Sequence, residues 1–452
     1  MKISLLIAEI GSTTTLVNGF SIDKDPKYIG QGQSATTVLE GDVNVGLKKA
    51  IEDLRKNLNV LSIEYDELMA TSSAAGGLRM TVHGLVYDMT VKAAREAALG
   101  AGANIKQVTA GKLRKSDLNK IKEINPNIIL IAGGVDYGER ETGIYNSELI
   151  KSLNLNIPVI YAGNIENQDE VREIFTGTDY ELFIVNNVYP RIDELNIEST
   201  REVIQDVFEK HIIHAKGMED IRSMVTGTIM PTPGAVMNGS KILYEAIGDL
   251  MTIDIGGATT DIHSVTNGSD EIARILISPE PFAKRTVEGD LGVYINLENI
   301  LEKTDKNEIS NQLNISSDEL QDINENYQPI PRNNLERRYV ELLSLYSAKE
   351  AIYRHVGRLR DIYGPGGKQT IAEGKDLTKV QYIIGTGGPL TKLPNMPEKL
   401  QELFRNVHGN YLLPAKNSKV LIDTKYIMAS LGVMAKEYPE ASLKLLRDTL
   451  EI

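Results

Sequence analysis

Two distant stretches of this chain repeat one another. Leu6-Ile7-Ala8-Glu9-Ile10-Gly11-Ser12-Thr13-Thr14-Thr15 is matched by Thr252-Ile253-Asp254-Ile255-Gly256-Gly257-Ala258-Thr259-Thr260-Asp261. Each runs from apolar residues to a carboxylate, Ile, Gly, a small residue and a run of hydroxyls. Each is followed by alternation suited to a returning strand, Leu16 to Phe20 in one and Ile262 to Val265 in the other. The pattern predicts two modules that each open with strand, Gly-rich turn and strand. Either stretch alone reads equally well as a tight hairpin with capping hydroxyls.

Two copies suit a polyphosphate gripped from both sides. A Gly-rich turn brings backbone N–H groups close to phosphate oxygens. Thr and Ser hydroxyls add donors. A carboxylate at the strand end repels phosphate, but it can hold the hydrated Mg²⁺ that accompanies it, since that ion keeps several of its waters. Gly11, Ser12, Thr13 and Thr14 are therefore nucleotide-binding candidates, as are Gly256, Gly257, Ala258, Thr259 and Thr260. Glu9, Asp254 and Asp261 are the candidates for Mg²⁺, through water.

A third Gly cluster, Gly385-Thr386-Gly387-Gly388, follows the apolar run Tyr382-Ile383-Ile384. Glycines there let backbone approach a flat ligand. After two phosphate loops, the cluster fits an adenosine-binding segment. A fourth, Ile128-Ile129-Leu130-Ile131-Ala132-Gly133-Gly134-Val135-Asp136-Tyr137-Gly138, reads as a plain turn, with a second ligand site at a strand end as the alternative.

The 452 residues suggest about three domain-sized units. From Leu68 to Tyr189 short apolar runs alternate with helical stretches, as in a parallel sheet covered on both faces. Thr304 to Arg332 is polar and reads as an exposed connection with short helices, and Leu335 to Arg360 reads as one long helix. The chain has no cysteine, which excludes disulfides, thiolate metal sites and a cysteine nucleophile. Its net charge of −13 makes nucleic acid and anionic membranes poor partners. Nothing resembles a membrane span or a signal peptide, so a cytoplasmic location is expected.

The order of phosphate loop, connecting helix, second phosphate loop and adenosine loop is similar to that of the actin/heat-shock-chaperone/sugar-kinase superfamily. Within it the chain resembles the MutL/GlmL family, accessory proteins of adenosylcobalamin-dependent mutases and aminomutases. The likeness rests on Ile10-Gly11-Ser12-Thr13, Ser72-Ser73-Ala74-Ala75-Gly76-Gly77-Leu78-Arg79-Met80, Ala97-Ala98-Leu99-Gly100-Ala101-Gly102-Ala103 and Ala132 to Asp136. It extends to Asp254 to Asp261, Arg285-Thr286-Val287-Glu288-Gly289-Asp290-Leu291-Gly292 and Gly385 to Gly388. The start of the chain is most similar to members associated with ornithine degradation.

The resemblance implies an α/β, two-lobe actin-like ATPase fold, with ribonuclease H-like lobes and an inserted parallel α/β unit. The implied division is 1–79 and 190–248 in the first lobe, 80–189 as the insertion and 249–452 as the second lobe. It implies ATP or ADP with Mg²⁺, and weak ATPase activity with Asp254 or Glu9 orienting the attacking water. The implied role is a reactivating chaperone that releases damaged cobalamin from a mutase or aminomutase, with ornithine aminomutase as the expected client. Glu9 departs from the superfamily's Asp and puts hydrolysis in question. The rivals are a nucleotide-binding scaffold without hydrolysis and a small-molecule kinase. The oligomeric state stays open, a homodimer being one option. The chain lacks an Asp-x-His-x-x-Gly motif, since Ser264-Val265-Thr266 follows Asp261-Ile262-His263, so it is not expected to bind cobalamin itself.

Other residues get plain readings. His211 and His214 complement a helix dipole. His263 reads as a surface strand position, with a place near phosphate as the alternative, and Arg285 with Glu288 as a structural ion pair or a functional one. Arg354, Arg358 and Arg360 read as a solvated helix face, with a nucleotide contact as the alternative.

Overall fold

The structure is a computed structural model describing residues 1–73, 78–328, 330–365, 367–405 and 409–452. Ala74 to Gly77 of the family-like run therefore lie outside the described residues. The chain divides into two compact units. The first comprises Met1–Phe20, Ile29–Ala235 and Ser278–Lys284, and the second Ser21–Tyr28, Val236–Ile277 and Arg285–Ile452.

In the first unit a sheet is built in the spatial order Ile229–Pro231, Glu64–Ser72, Lys2–Ile10, Thr14–Ser21, Lys27–Ala35. Lys2–Ile10 is central because Ile3, Leu5, Leu6, Ile7, Ala8 and Ile10 are all buried, a run that only a strand covered on both faces can hide. It pairs antiparallel with Thr14–Ser21 and parallel with Glu64–Ser72. The helix Val43–Asn57 covers one face with Val43, Leu47, Ala50 and Leu54. Asp42 caps it by accepting from the Asn44 N–H at 2.8 Å. Gly32 permits the close fit, since a Cβ there would stand 2.2 Å from the Ala50 carbonyl oxygen.

The second unit repeats the plan. Its main sheet runs Ala283–Glu288, Thr260–Val265, Leu250–Ile255, Tyr382–Thr386, Lys419–Ile422. Counted along the chain, both sheets have the order third, second, first, fourth, fifth. In both, the first two strands form the antiparallel hairpin that carries the repeated loop. In both, the fourth strand runs parallel to the first. This is the duplicated, ribonuclease H-like α/β arrangement expected from the sequence.

A third sheet, wholly parallel, falls in sequence between the fourth and fifth strands of the first. Its spatial order is Asn104–Ala110, Arg79–Gly84, Ile128–Ile131, Pro158–Tyr161, Glu181–Ile184. Met80, Val82, Leu130 and Ile160 on one face share a core with the first sheet. Ile129, Ile131, Val159 and Tyr161 on the other pack with Ile121, Ile150, Val171 and Phe175. Arg79–Gly84 escapes sequence reading because a fully buried histidine sits within it. His83 is accommodated by the hydroxyls of Thr109 at 2.8 Å and Thr81 at 3.0 Å. Burial pushes its pKa down to about 4.

The family-like run Ala97 to Ala103 has a packing role. It ends the helix Lys92–Gly100, whose Ala93, Ala94, Ala97 and Ala98 are buried. Gly102 takes φ 97°, and a Cβ there would stand 2.6 Å from Pro231 Cβ.

Two sequence expectations change. The polar stretch from Thr304 to Arg332 is not simply exposed. Its helices Lys306–Leu313 and Ser317–Asn326 bury Ile309, Leu313, Leu320 and Ile323 in the second core. Few apolar residues suffice there because they recur at helical spacing. The long helix is Asn334–His355, and Arg358–Gly364 pairs with Gly367–Glu373 as a hairpin. Arg358 and Arg360 therefore sit on a strand, while Arg354 alone remains on the helix. Among the described residues no helix is long and apolar enough to cross a membrane.

Candidate functional site

The two repeated loops close in the same way. Gly11 N–H donates to the Thr14 carbonyl at 3.0 Å, and Gly256 N–H to the Thr259 carbonyl at 2.9 Å. A Cβ on Gly11 would stand 2.8 Å from that Thr14 oxygen, so the tight closure needs glycine there.

Both loops also have the same polarity. In the first, Thr36 takes up the carbonyls, its Oγ1 donating to Gly11 O at 2.9 Å and its N–H to Thr13 O at 3.0 Å. The N–H groups of Ser12 and Thr13 donate to nothing among the described residues. In the second, Val293 N–H donates to Gly256 O at 3.2 Å, and Tyr294 and Ile295 N–H to Gly257 O at 2.9 and 2.7 Å. Asn296 Nδ2 donates to Ala258 O at 2.7 Å. The N–H groups of Gly257, Ala258 and Thr259 have no acceptor among the described residues. A turn with its carbonyls tied back and its amides unclaimed has the polarity that an anion cradle requires.

Carboxylates flank both cradles. Glu9 is buried at 6% exposure, and Asn18 Nδ2 donates to its Oε1 at 3.4 Å. Asn18 is itself held by Gln31 Nε2 at 2.9 Å. Asp254 stands directly across the hairpin from Asp261. Arg285 neutralises Asp261, its Nε at 2.8 Å and its second terminal nitrogen at 2.6 Å from Oδ1, with both side chains buried. This resolves the partner of Arg285: it is Asp261, and Glu288 pairs instead with Arg354 at 2.6 Å. Half-buried Asp254 has no side-chain hydrogen bond among the described residues. Desolvation first, then the neighbouring Asp261, push its pKa up to about 7, against a smaller opposite pull from Arg285.

The third Gly cluster lies against the second loop. Asp254 pairs in register with Thr386 on the parallel strand. Gly387, at φ 90°, passes so near that a Cβ would stand 2.2 Å from Ile255 O and 2.8 Å from Asp254 Oδ1. Gly388 has open space around its Cα. Three candidate hydroxyls donate within the protein: Thr260 Oγ1 donates to Leu291 O at 2.7 Å, and Thr386 Oγ1 to Asp423 Oδ2 at 3.0 Å. The third, Thr259 Oγ1, donates to Asp261 Oδ2 at 2.9 Å.

Sequence reasoning missed Asp423. It is fully buried and accepts from Thr386, from the N–H groups of Ile427 and Met428 at 2.8 Å each, and from Thr449 Oγ1 at 2.7 Å. Burial raises its pKa while these donors oppose the shift. Its signal was available, since Leu421-Ile422-Asp423 ends a short apolar run with a carboxylate just as Ile253-Asp254 does.

The remaining candidates fall away from the loops. His211 Nε2 meets Glu181 at 2.9 Å, and the His214 ring lies 5.6 Å from that of His211. His263 is fully buried, not a surface position, because it faces inward on a strand covered on both sides. The turn at Gly133 and Gly134 packs on its own surroundings, a Cβ on Gly134 falling 2.6 Å from Glu139 O.

The family described as MutL protein matches residues 5–450. "Protein MutL" of Clostridium tetanomorphum is 35% identical over 461 residues, covering 98% of this chain and 98% of that protein. Among solved structures, a diol dehydratase-reactivating factor in nucleotide-free form aligns at TM-score 0.37 and 11% identity, covering 97% of this chain and 100% of that one. A glucokinase of the ROK family from Streptomyces griseus, in complex with glucose and AMPPNP, aligns at TM-score 0.32 and 10% identity, covering 94% and 97%. The full-length match and the 35% identity to a curated member show that this chain belongs to the MutL family.

Proposed function

We propose that this chain is an ATP-dependent reactivating accessory protein for an adenosylcobalamin-dependent aminomutase or mutase. Ornithine aminomutase is the client we favour, because of the likeness of the chain's start to members associated with ornithine degradation. The observation that carries the nucleotide part is the shared polarity of the two loops, with carbonyls tied back and amides unclaimed. In this reading Gly11 to Thr14 and Gly256 to Thr259 are phosphate-binding loops, and Gly385 to Gly388 the adenosine segment. The residues fit a hydrated cation, since Asp254 lacks a side-chain partner among the described residues and sits beside an anion cradle. Asp254 and Asp261 beside the second loop, and Glu9 beside the first, are the candidates to meet such an ion through water, and when bound it would neutralise phosphate charge.

Phosphoryl transfer asks a protein mainly for positioning and charge stabilisation. Backbone N–H groups would orient the phosphate chain. Asp254 would orient the attacking water. Loss of the terminal phosphate would then release the loops and alter the surface offered to the client. The sheet formed by Arg79–Gly84 through Glu181–Ile184 is the segment we assign to client contact. One observation favours a second reading, a scaffold that binds nucleotide without hydrolysis: Glu9 is buried and already engaged by Asn18. Phosphate release from Mg–ATP, measured with and without the purified mutase, separates the two. Client-stimulated release supports the first reading, and binding without release the second.

A further inference from the structure

Glycine normally has a reason inside the protein, either a left-handed backbone or a neighbour too close for a Cβ. Gly289, Gly364 and Gly388 have neither: their φ lies outside the left-handed range and a Cβ would meet nothing within 4 Å. Gly364 is at the end of an exposed hairpin strand. Gly388 already belongs to the proposed adenosine segment. Gly289 remains unexplained.

Its place is specific. Asn296 Nδ2 donates to Gly289 O and to Ala258 O, each at 2.7 Å, so one amide ties Gly289 to the crest of the second loop. Three residues on, a Cβ at Gly292 would fall 2.2 Å from Ala258 C, so this segment presses directly on the loop. Leu291 O accepts the Thr260 hydroxyl at 2.7 Å. Gly289 thus has open space at its Cα and a carbonyl bridged to the loop that carries three unclaimed N–H groups.

Its neighbour Glu288 is aimed rather than loose. The Arg354 guanidinium donates to Glu288 Oε2 at 2.6 Å and grips both oxygens of Asp290 at 2.7 and 3.1 Å. Lys303 also pairs with Asp290. The Glu288 side chain is only 13% exposed, and its Oε1 has no partner among the described residues. A carboxylate held by one oxygen, with the other open, next to a segment that packs on the second loop, suits the hydrated cation that travels with a polyphosphate.

We infer that Glu288 and Gly289 form a further wall of the nucleotide site, Gly289 receiving the phosphate chain against its bare Cα and Glu288 Oε1 facing the water shell of the accompanying Mg²⁺. Arg354 is the positioning residue for Glu288. The inference rests on the nucleotide reading above and extends it to a segment whose resemblance to the family carries no assigned role.

The test titrates purified full-length protein with Mg–ATP. Gly289→Ala is expected to keep the wild-type melting temperature, because the space is open, and to weaken Mg–ATP binding tenfold or more. Gly364→Ala, equally open but on the hairpin, should leave both unchanged. Glu288→Gln should shift the Mg²⁺ concentration that supports half-maximal nucleotide binding upward by threefold or more, a readout that a purely structural ion pair would not move. Wild-type binding with unchanged affinity in Gly289→Ala and an unchanged Mg²⁺ requirement in Glu288→Gln overturns this inference and spares the parent reading. Absence of Mg–ATP binding by the wild type overturns both.

Discussion

Asp254 and Asp261 face each other across the second hairpin, and only Asp261 carries a cation, Arg285, on its carboxylate. The asymmetry separates two chemically equal groups. One becomes a fixed ion-pair partner. The other becomes a carboxyl that titrates near neutral pH and is free to meet water or metal.

A pH signature follows from that asymmetry. The folded pKa of Asp254, about 7, lies above its unfolded value, so folding favours the protonated form. Its contribution to stability is complete below about pH 4 and is lost as pH rises through 7. Asp254→Asn should therefore stabilise the metal-free protein at pH 8, by about 1–2 kcal/mol after allowance for solvent screening, and hardly at all at pH 4. Chemical melts at the two pH values check this. An equal effect at both would refute the assignment of the raised pKa.

Arg285 should matter for stability because it is the buried counter-charge of Asp261. Removing it leaves Asp261 buried without a cation. Arg285→Met should cost about 3–5 kcal/mol, and adding Asp261→Asn should recover a substantial part. The measurement is a double-mutant cycle by urea unfolding. Additive losses would show that the pair is not coupled.

Adjacent glycines should separate folding from binding. Gly387→Ala places a Cβ about 2.2 Å from Ile255 O at φ 90° and should lower the melting temperature sharply. Gly388→Ala meets open space and should leave melting unchanged while weakening adenine-nucleotide binding. Thermal melts and nucleotide titrations of both variants check the contrast.

His83 supplies an independent prediction about the third sheet. Its folded pKa, near 4, lies below the ordinary histidine value, so protonation favours the unfolded chain. Its contribution is present above about pH 6.5 and is lost as pH falls toward 4. His83→Gln should flatten the acid limb of the stability profile over that window. An unchanged acid limb would contradict the burial argument.

The sequence made the two hairpin openings legible because a repeated carboxylate, glycine and hydroxyl pattern marks a turn whatever surrounds it. Short apolar runs such as Ile128 to Ile131 showed the parallel sheet for the same reason. Arg79–Gly84 was hidden because His83 is polar by type and buried by hydrogen bonds that only the fold supplies. His263 misleads in the same way, as a polar residue on a strand buried on both sides. At the site, Glu9, Asp254 and the loop glycines were readable, whereas Thr260 and Thr386 were offered as ligand donors although both hydroxyls turn inward. Asn296 gave no signal at all, since an isolated asparagine acquires meaning only when two carbonyls converge on it.

The most direct test of the account is Mg–ATP binding and phosphate release by the purified protein and its Asp254→Ala variant, each with and without the client mutase. The wild type is expected to bind Mg–ATP and to release phosphate faster with the client, while Asp254→Ala loses at least tenfold in release. Equal binding and equal release by the two proteins would contradict it.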